Sequence, residues 1–108
     1  MSAYQEIDAN ELNAMLSGSE TILVDVRADE EVARGIIPGA QHISLALLPS
    51  TLKELGDGNV SLVFYCHSGT RSAQACNLIG KTERENVFNL RGGILAWVNS
   101  GLPLVPKN

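Results

Sequence analysis

The sequence is poor in aromatic residues, in basic residues and in long apolar runs. Aromatic residues are 5% of the 108, and eight Lys and Arg stand against twelve Asp and Glu, for a net charge of -4. Nucleic-acid binding needs clustered Lys and Arg, so this scattered set argues against a nucleic-acid partner. No apolar run approaches the roughly 18 residues that cross a bilayer, so we expect no membrane span.

Cysteine and histidine are also scarce, with two residues of each. Cys66 and Cys76 could form one disulfide, but a chain of this size without a visible secretory signal favours free thiols. The N-terminal segment MSAYQEIDANEL lacks a basic stretch followed by an apolar one, so we expect a cytoplasmic location. His42 and His67 lie far apart and no C-x-x-C occurs, so no metal site is predicted.

Short apolar runs alternate with helical patterns along the chain. The length and the 44% hydrophobic content predict one domain over residues 1–108, which we expect to be a monomer. Strands are predicted over residues 4–7, 21–26, 41–43, 60–65 and 86–90. Helices are predicted from an Asp8 cap to Gly18, and over residues 29–34, 47–55, 71–80 and 94–100. This alternation predicts an α/β fold in which helices flank both faces of a central, mostly parallel sheet.

The first helix carries a recognisable start signal. Asp8 stands at the N-cap position and Glu11 follows three residues later, which is the spacing of a capping box. Ile7 and Leu12 occupy the positions of a hydrophobic staple. The pattern therefore places the helix N-terminus at this point.

Polar residues of chemical interest follow three of the predicted strands. They are Asp25 to Arg27, Cys66 to Arg71, and Arg91 to Gly93. Ligand sites of open parallel sheets lie beyond the carboxyl ends of the strands. We therefore expect these segments to meet at one edge of the sheet.

The segment FYCHSGTRS, residues 64–72, contains the most reactive candidate. Gly69 permits the positive φ that a tight loop needs, so that backbone amides can converge on the Cys66 sulfur as an anion nest. The start of the next helix and Arg71 add positive charge. Each effect favours a thiolate and lowers the pKa of Cys66 below its free value. The alternative interpretation is that Cys66 is a small buried apolar residue.

The run CHSGTRS resembles the active loop of single-domain rhodaneses, C-x-x-G-x-R-S. Three other segments resemble further motifs of that family in the same order. They are LVDVR at 23–27, EVARGIIPGA at 31–40 and LRGGILAW at 90–97. One position departs from the family pattern, because Ile36 stands where a histidine is usual, and no role is assigned to it.

The resemblance implies a rhodanese-like three-layer fold and a sulfurtransferase that needs no cofactor. Cys66 would take a sulfane sulfur from a small anionic donor such as thiosulfate, as a persulfide. It would then pass the sulfur to cyanide, a thiol or a protein acceptor. Binding of the transferred group falls to His67, Ser68, Gly69, Thr70 and Arg71. The alternatives are a persulfide carrier or interaction module with little small-molecule turnover, and a cysteine phosphatase, whose C-x5-R loop is one residue longer than the C-x4-R here.

Several neighbouring residues have competing interpretations. Asp25 and Arg27 could shape the pocket electrostatically, but a structural ion pair is favoured. Arg71 could bind the donor's oxygens or hold the shape of the loop, and the sequence does not decide between these roles. His67 is predicted at the pocket rim and Cys76 in a packed helix face.

The last helix is expected to pack through Leu95 and Trp97. Gly92 and Gly93, which precede it, are expected to allow a close turn beside the active loop.

Overall fold

A single sheet forms the centre of the molecule. The computed structural model describes residues 4–18, 20–51, 55, 59–79 and 84–107. Its sheet has the strand order β1-β5-β4-β2-β3, and every pairing is parallel. The strands are β1 Gln5–Ile7, β2 Thr21–Asp25, β3 Gln41–His42, β4 Ser61–Tyr65 and β5 Val87–Leu90. The predicted parallel sheet is confirmed, and each strand lies within or at the predicted bounds.

Helices connect the strands. They are α1 Ala9–Gly18, α2 Asp29–Val32, α3 Leu48–Thr51, α4 Thr70–Ile79 and α5 Gly93–Asn99. The longest of them have ten residues, and none that the structure describes has both the length and the hydropathy for crossing a bilayer.

The helix predicted over residues 47–55 differs from the structure at its start. A 3-10 turn over Leu45–Leu47 precedes α3, because the amides of Leu47 and Leu48 both donate to the Ser44 carbonyl. Such three-residue turns are common at helix ends. Residues 52–54 of that prediction, and Gly80 at the end of the fourth predicted helix, lie outside the described residues.

The capping box at the start of α1 is present. The Asp8 amide donates to Glu11 Oε1 at 3.0 Å, and the Glu11 amide donates to Asp8 Oδ1 at 2.7 Å. Leu12, one turn into the helix, is fully buried. The sequence signal therefore fixed both the start of α1 and the face that it packs on the sheet.

Apolar side chains cover both faces of the sheet. Along β4, Leu62 and Phe64 belong to one buried cluster, while Val63 and Tyr65 belong to another. This alternation follows from the two-residue period of a strand. Helices α3 and α4 contribute to the first cluster, and α1 and α5 to the second. The predicted three-layer arrangement is confirmed.

The last helix packs differently from the prediction. Trp97 is buried, and its indole Nε1 donates to the Pro103 carbonyl at 2.7 Å. Leu95, however, is 45% exposed, so its predicted packing role is wrong. Residues two apart on a helix point in different directions, and the burial of Trp97 turns Leu95 outward.

Candidate functional site

Cys66 lies at the carboxyl end of β4, directly before the loop that leads into α4. The residue is only 1% exposed, whereas His67, Ser68 and Thr70 on the loop are exposed. Gly69 has a φ of +109°, which lets the backbone fold back over the sulfur. The thiol therefore lies at the base of the loop, and His67, which was predicted at the rim, is exposed there together with Ser68 and Thr70.

Hydrogen-bond donors of the loop surround the Cys66 sulfur. The Gly69 amide lies 3.1 Å from Sγ and the Ser72 hydroxyl lies 3.5 Å from it. Burial raises the pKa of the Cys66 thiol. Hydrogen bonds outweigh that effect and bring the pKa below its ordinary value; their donors are the Ser72 hydroxyl and the amides of Ser72, Gly69 and Ser68. The thiol is buried, but its surroundings stabilise the anion.

Helix α5 holds the backbone of this loop from the side. The Ile94 amide donates to the Cys66 carbonyl at 2.9 Å, and the Leu95 amide donates to the His67 carbonyl at 3.3 Å. Gly93 makes this approach possible, since a Cβ atom at that position would lie 2.5 Å from both carbonyl oxygens. The close turn predicted at the glycine pair is confirmed.

Arg71 lies in the first turn of α4 and forms an ion pair with Glu31 of α2. Its Nη1 donates to Glu31 Oε1 at 2.6 Å, and its Nη2 donates to Oε2 at 2.9 Å. The Arg71 hydrogen bonds lower the pKa of Glu31 to about 2, so the pair stays ionised at neutral pH. This two-point contact anchors the loop to α2.

Asp25 and Arg27 form a buried ion pair beneath the site. Arg27 Nη2 donates to Asp25 Oδ2 at 2.7 Å and to the Gly35 carbonyl at 2.8 Å. The Arg27 amide also donates to Asp25 Oδ1 at 2.9 Å. Both side chains are satisfied inside the protein, as the favoured structural interpretation predicted.

The second cysteine lies apart from the loop. Cys76 is fully buried in α4, and its thiol lies 3.4 Å from the Phe88 carbonyl. Burial raises the pKa of the Cys76 thiol to about 12. Both cysteines are free, and the prediction that Cys76 packs in a helix face is confirmed.

Sequence reasoning missed three residues that support the loop. Glu31 binds Arg71, and the buried side chains of Ser72 and Asn89 contact each other behind Cys66. A signal existed for each of them. Ser72 and Glu31 stand inside the quoted motifs, and Asn89 is a polar residue in the apolar strand VFNL, where a buried amide needs a partner.

A pocket of about 220 Å³ opens beside the loop. His67 lines it together with the exposed apolar side chains of Leu95, Val98 and Leu104. Arg34 adds a cation to the lining, and it has no carboxylate partner among the residues that the structure describes. The reactive loop is therefore bordered by an apolar surface.

Within the described ranges, no group of three or more His, Cys, Asp or Glu side chains is arranged to hold a metal ion.

Known proteins share this sequence pattern. The profile of the rhodanese-like domain family matches residues 8–100. The chain belongs to this family. A sulfurtransferase of Allochromatium vinosum is 42% identical to this rhodanese-like chain over 101 residues, which cover 93% of the chain and 94% of that relative.

Solved structures of rhodanese-like proteins share the fold. A rhodanese-related protein from Thermoplasma volcanium has a TM-score of 0.85 and 27% identity, covering 96% of this chain and 100% of that one. A thiosulfate sulfurtransferase from Pseudomonas aeruginosa has a TM-score of 0.85 and 30% identity, covering 96% of this chain but 20% of that one. The rhodanese-like relatives support sulfur transfer at the level of the family.

Proposed function

We propose that this rhodanese-like chain, as one domain over residues 1–108, transfers sulfane sulfur through a persulfide on Cys66. The observation that carries the proposal is the convergence of the Gly69 amide and the Ser72 hydroxyl on Cys66 Sγ, at 3.1 and 3.5 Å. Such donors favour the thiolate, which is the nucleophilic form of cysteine. Loop amides such as that of Gly69 also stabilise negative charge on a second sulfur bound at the same place.

Thiosulfate is the proposed donor. The Cys66 thiolate attacks the outer sulfur of thiosulfate, a new S–S bond forms, and the old S–S bond breaks as sulfite leaves with its electron pair. The loop then holds Cys66–S–S⁻. A thiophilic acceptor such as cyanide attacks the outer sulfur, and the thiolate of Cys66 is released with thiocyanate.

The exposed loop residues give access to this sulfur. His67, Ser68 and Thr70 stand at the rim, where they contact the donor and the acceptor. Gly69 supplies its amide to the sulfur, and Arg71 supplies positive charge from the first turn of α4. The rim residues and Gly69 have binding roles, Arg71 holds the loop in shape, and the chemistry falls to Cys66 alone.

A persulfide carrier for a protein acceptor is the second candidate function. The observation in its favour is the apolar pocket beside the loop, where Leu95 is 45% and Val98 is 47% exposed. Exposed apolar patches next to a reactive group suit contact with another polypeptide. The two candidates share the persulfide and differ in the acceptor.

The test is incubation with thiosulfate, followed by intact-mass measurement and a thiocyanate turnover assay with cyanide. A mass gain of one sulfur together with turnover is the result expected of the enzyme. The mass gain without turnover favours the carrier. Phosphate release from an aryl phosphate without sulfur uptake would contradict both and favour a phosphatase.

The Arg71–Glu31 pair provides a prediction about the loop. Both guanidinium nitrogens of Arg71 that face Glu31 are occupied by its carboxylate, so the pair positions the loop rather than the donor. We expect Arg71→Ala and Glu31→Ala to lower kcat/KM for thiosulfate alike, by ~10–100-fold, because both release the loop from α2.

The matched control is Glu30→Ala, which removes an exposed carboxylate from the same helix and should leave kcat/KM close to wild type. If Arg71→Ala lowers kcat/KM while Glu31→Ala leaves it unchanged, Arg71 binds the donor directly and the positioning role is wrong.

A further inference from the structure

A chain of polar side chains runs behind the loop from the Cys66 sulfur to β1. Ser72 is fully buried and Asn89 is 2% exposed, so neither side chain can rely on water. The Ser72 hydroxyl lies 2.5 Å from Asn89 Oδ1, and Asn89 Nδ2 lies 2.8 Å from Glu6 Oε2. The transfer steps above assign no part to Asn89 or Glu6.

The surroundings of Asn89 fix the orientation of its amide. Its Nδ2 donates to Glu6 Oε2 and to the Gly69 carbonyl, which is 3.3 Å away. Carboxylate and carbonyl oxygens accept hydrogen bonds, so the NH2 group faces them. The amide oxygen of Asn89 therefore faces Ser72 as an acceptor.

The Ser72 hydroxyl has one proton and three acceptors within reach. They are Asn89 Oδ1 at 2.5 Å, the Gly69 carbonyl at 3.2 Å and Cys66 Sγ at 3.5 Å. A hydroxyl donates one hydrogen bond at a time. The shortest contact is to the amide, so a bond to the sulfur forms in competition with Asn89.

We propose that Asn89 is a positioning residue that competes with the Cys66 sulfur for the single proton of the Ser72 hydroxyl. While Cys66 is a thiol, Ser72 donates to Asn89 and its oxygen is free to accept the S–H proton. When the thiolate forms, the Ser72 proton turns to the sulfur and the bond to Asn89 is lost. Asn89 therefore favours the thiol over the bare thiolate.

The same competition bears on sulfur loading, and this step rests on the proposed function. In the persulfide the negative charge resides mainly on the outer sulfur, so Cys66 Sγ needs the Ser72 proton less. That proton returns to Asn89, and the full hydrogen bond is restored. The persulfide form therefore regains the Ser72–Asn89 hydrogen bond, which is lost in the thiolate form.

Other charged or titratable groups surround the loop, and the variants below leave all of them in place. Arg71 and His67 belong to the loop itself, and the others lie on the elements packed around it. These are Glu31 on α2, the Asp25–Arg27 pair at the end of β2, Tyr65 on β4, Cys76 on α4 and Glu6 on β1.

The test is a pH titration of the Cys66 thiolate by its ultraviolet absorbance, with the reading of Cys66→Ala subtracted. Asn89→Leu keeps the side-chain volume and removes the acceptor, and Asn89→Ala is the second variant in case the first does not fold. We expect the pKa of Cys66 to fall by about half a unit to one unit, the scale of one neutral hydrogen bond such as that between Ser72 and Asn89.

A Ser72→Ala background separates this role from a merely structural one. Without the hydroxyl there is no proton to compete for, so the Asn89 substitution should no longer move the pKa of Cys66. An unchanged or raised pKa in the Asn89 variants overturns the proposal, and so does an equal shift in the Ser72→Ala background. The titration needs no sulfur donor, so its outcome is independent of whether the chain transfers sulfur.

Discussion

Cys66→Ala should abolish sulfur uptake and reduce thiocyanate formation by roughly a thousandfold or more, the scale for loss of a covalent nucleophile. The side chain is buried at the floor of the loop, so its replacement removes one sulfur atom and leaves the surrounding amides in place. The measurements are the intact mass after thiosulfate and the initial rate with cyanide. The variant should show no mass gain.

The matched control for that result is Cys76→Ala. Cys76 is equally buried and has a raised pKa, but it lies on α4 against the Phe88 carbonyl rather than in the loop. This variant should take up one sulfur at the wild-type rate, with a loss of about 1 kcal/mol in the free energy of unfolding from the small cavity. If the two variants exchange these results, Cys66 is not the sulfur acceptor.

Gly93→Ala should destabilise the protein by about 3 kcal/mol or more and remove most of the transfer activity. The new Cβ would lie 2.5 Å from the Cys66 and His67 carbonyl oxygens, and both belong to backbone that cannot rotate away. The residue also has a φ of +62°, which disfavours any side chain. Urea unfolding gives the stability, and the cyanide assay on the folded fraction gives the activity.

Gly101→Ala separates the cost of the positive φ from the cost of the close contact with the loop. Gly101 has a φ of +81°, but a Cβ there would meet no described atom within 4 Å. Its alanine variant should lose only about 1 kcal/mol, which is the cost of the backbone conformation alone, and should keep its activity. Equal losses in the two variants would mean that the contact between Gly93 and the loop is unimportant.

Local patterns in the sequence predicted the elements that build the site. The capping box of Asp8 and Glu11, the glycine of the loop and the glycine pair before α5 each act within a few residues. The local structure that each pattern produces can therefore be predicted without knowing which distant residues it contacts. The loop, its placement at the sheet edge and the structural ion pair of Asp25 and Arg27 therefore followed from the sequence.

Contacts between distant segments could not be predicted in the same way. Glu31 and Arg71 are 40 residues apart, and Asn89 and Glu6 are 83 residues apart. Only the register of parallel strands places Asn89 beside Glu6. The exposure of Leu95 could not be predicted for the same reason. It depends on which face of α5 packs on the core, and the burial of Trp97 decides that face.

The hydrogen bonds by which α5 holds the backbone of the loop also affect the reactivity of the Cys66 thiol. In a trans peptide the carbonyl and the following N–H point in opposite directions. With the His67 carbonyl turned toward Leu95, the Ser68 N–H is aimed at the sulfur. A molecule in which α5 has locally unfolded from the loop lacks this constraint, so its Ser68 amide no longer helps to lower the pKa of Cys66. Local opening of α5, which hydrogen exchange measures, should therefore lower the fraction of Cys66 that is present as thiolate.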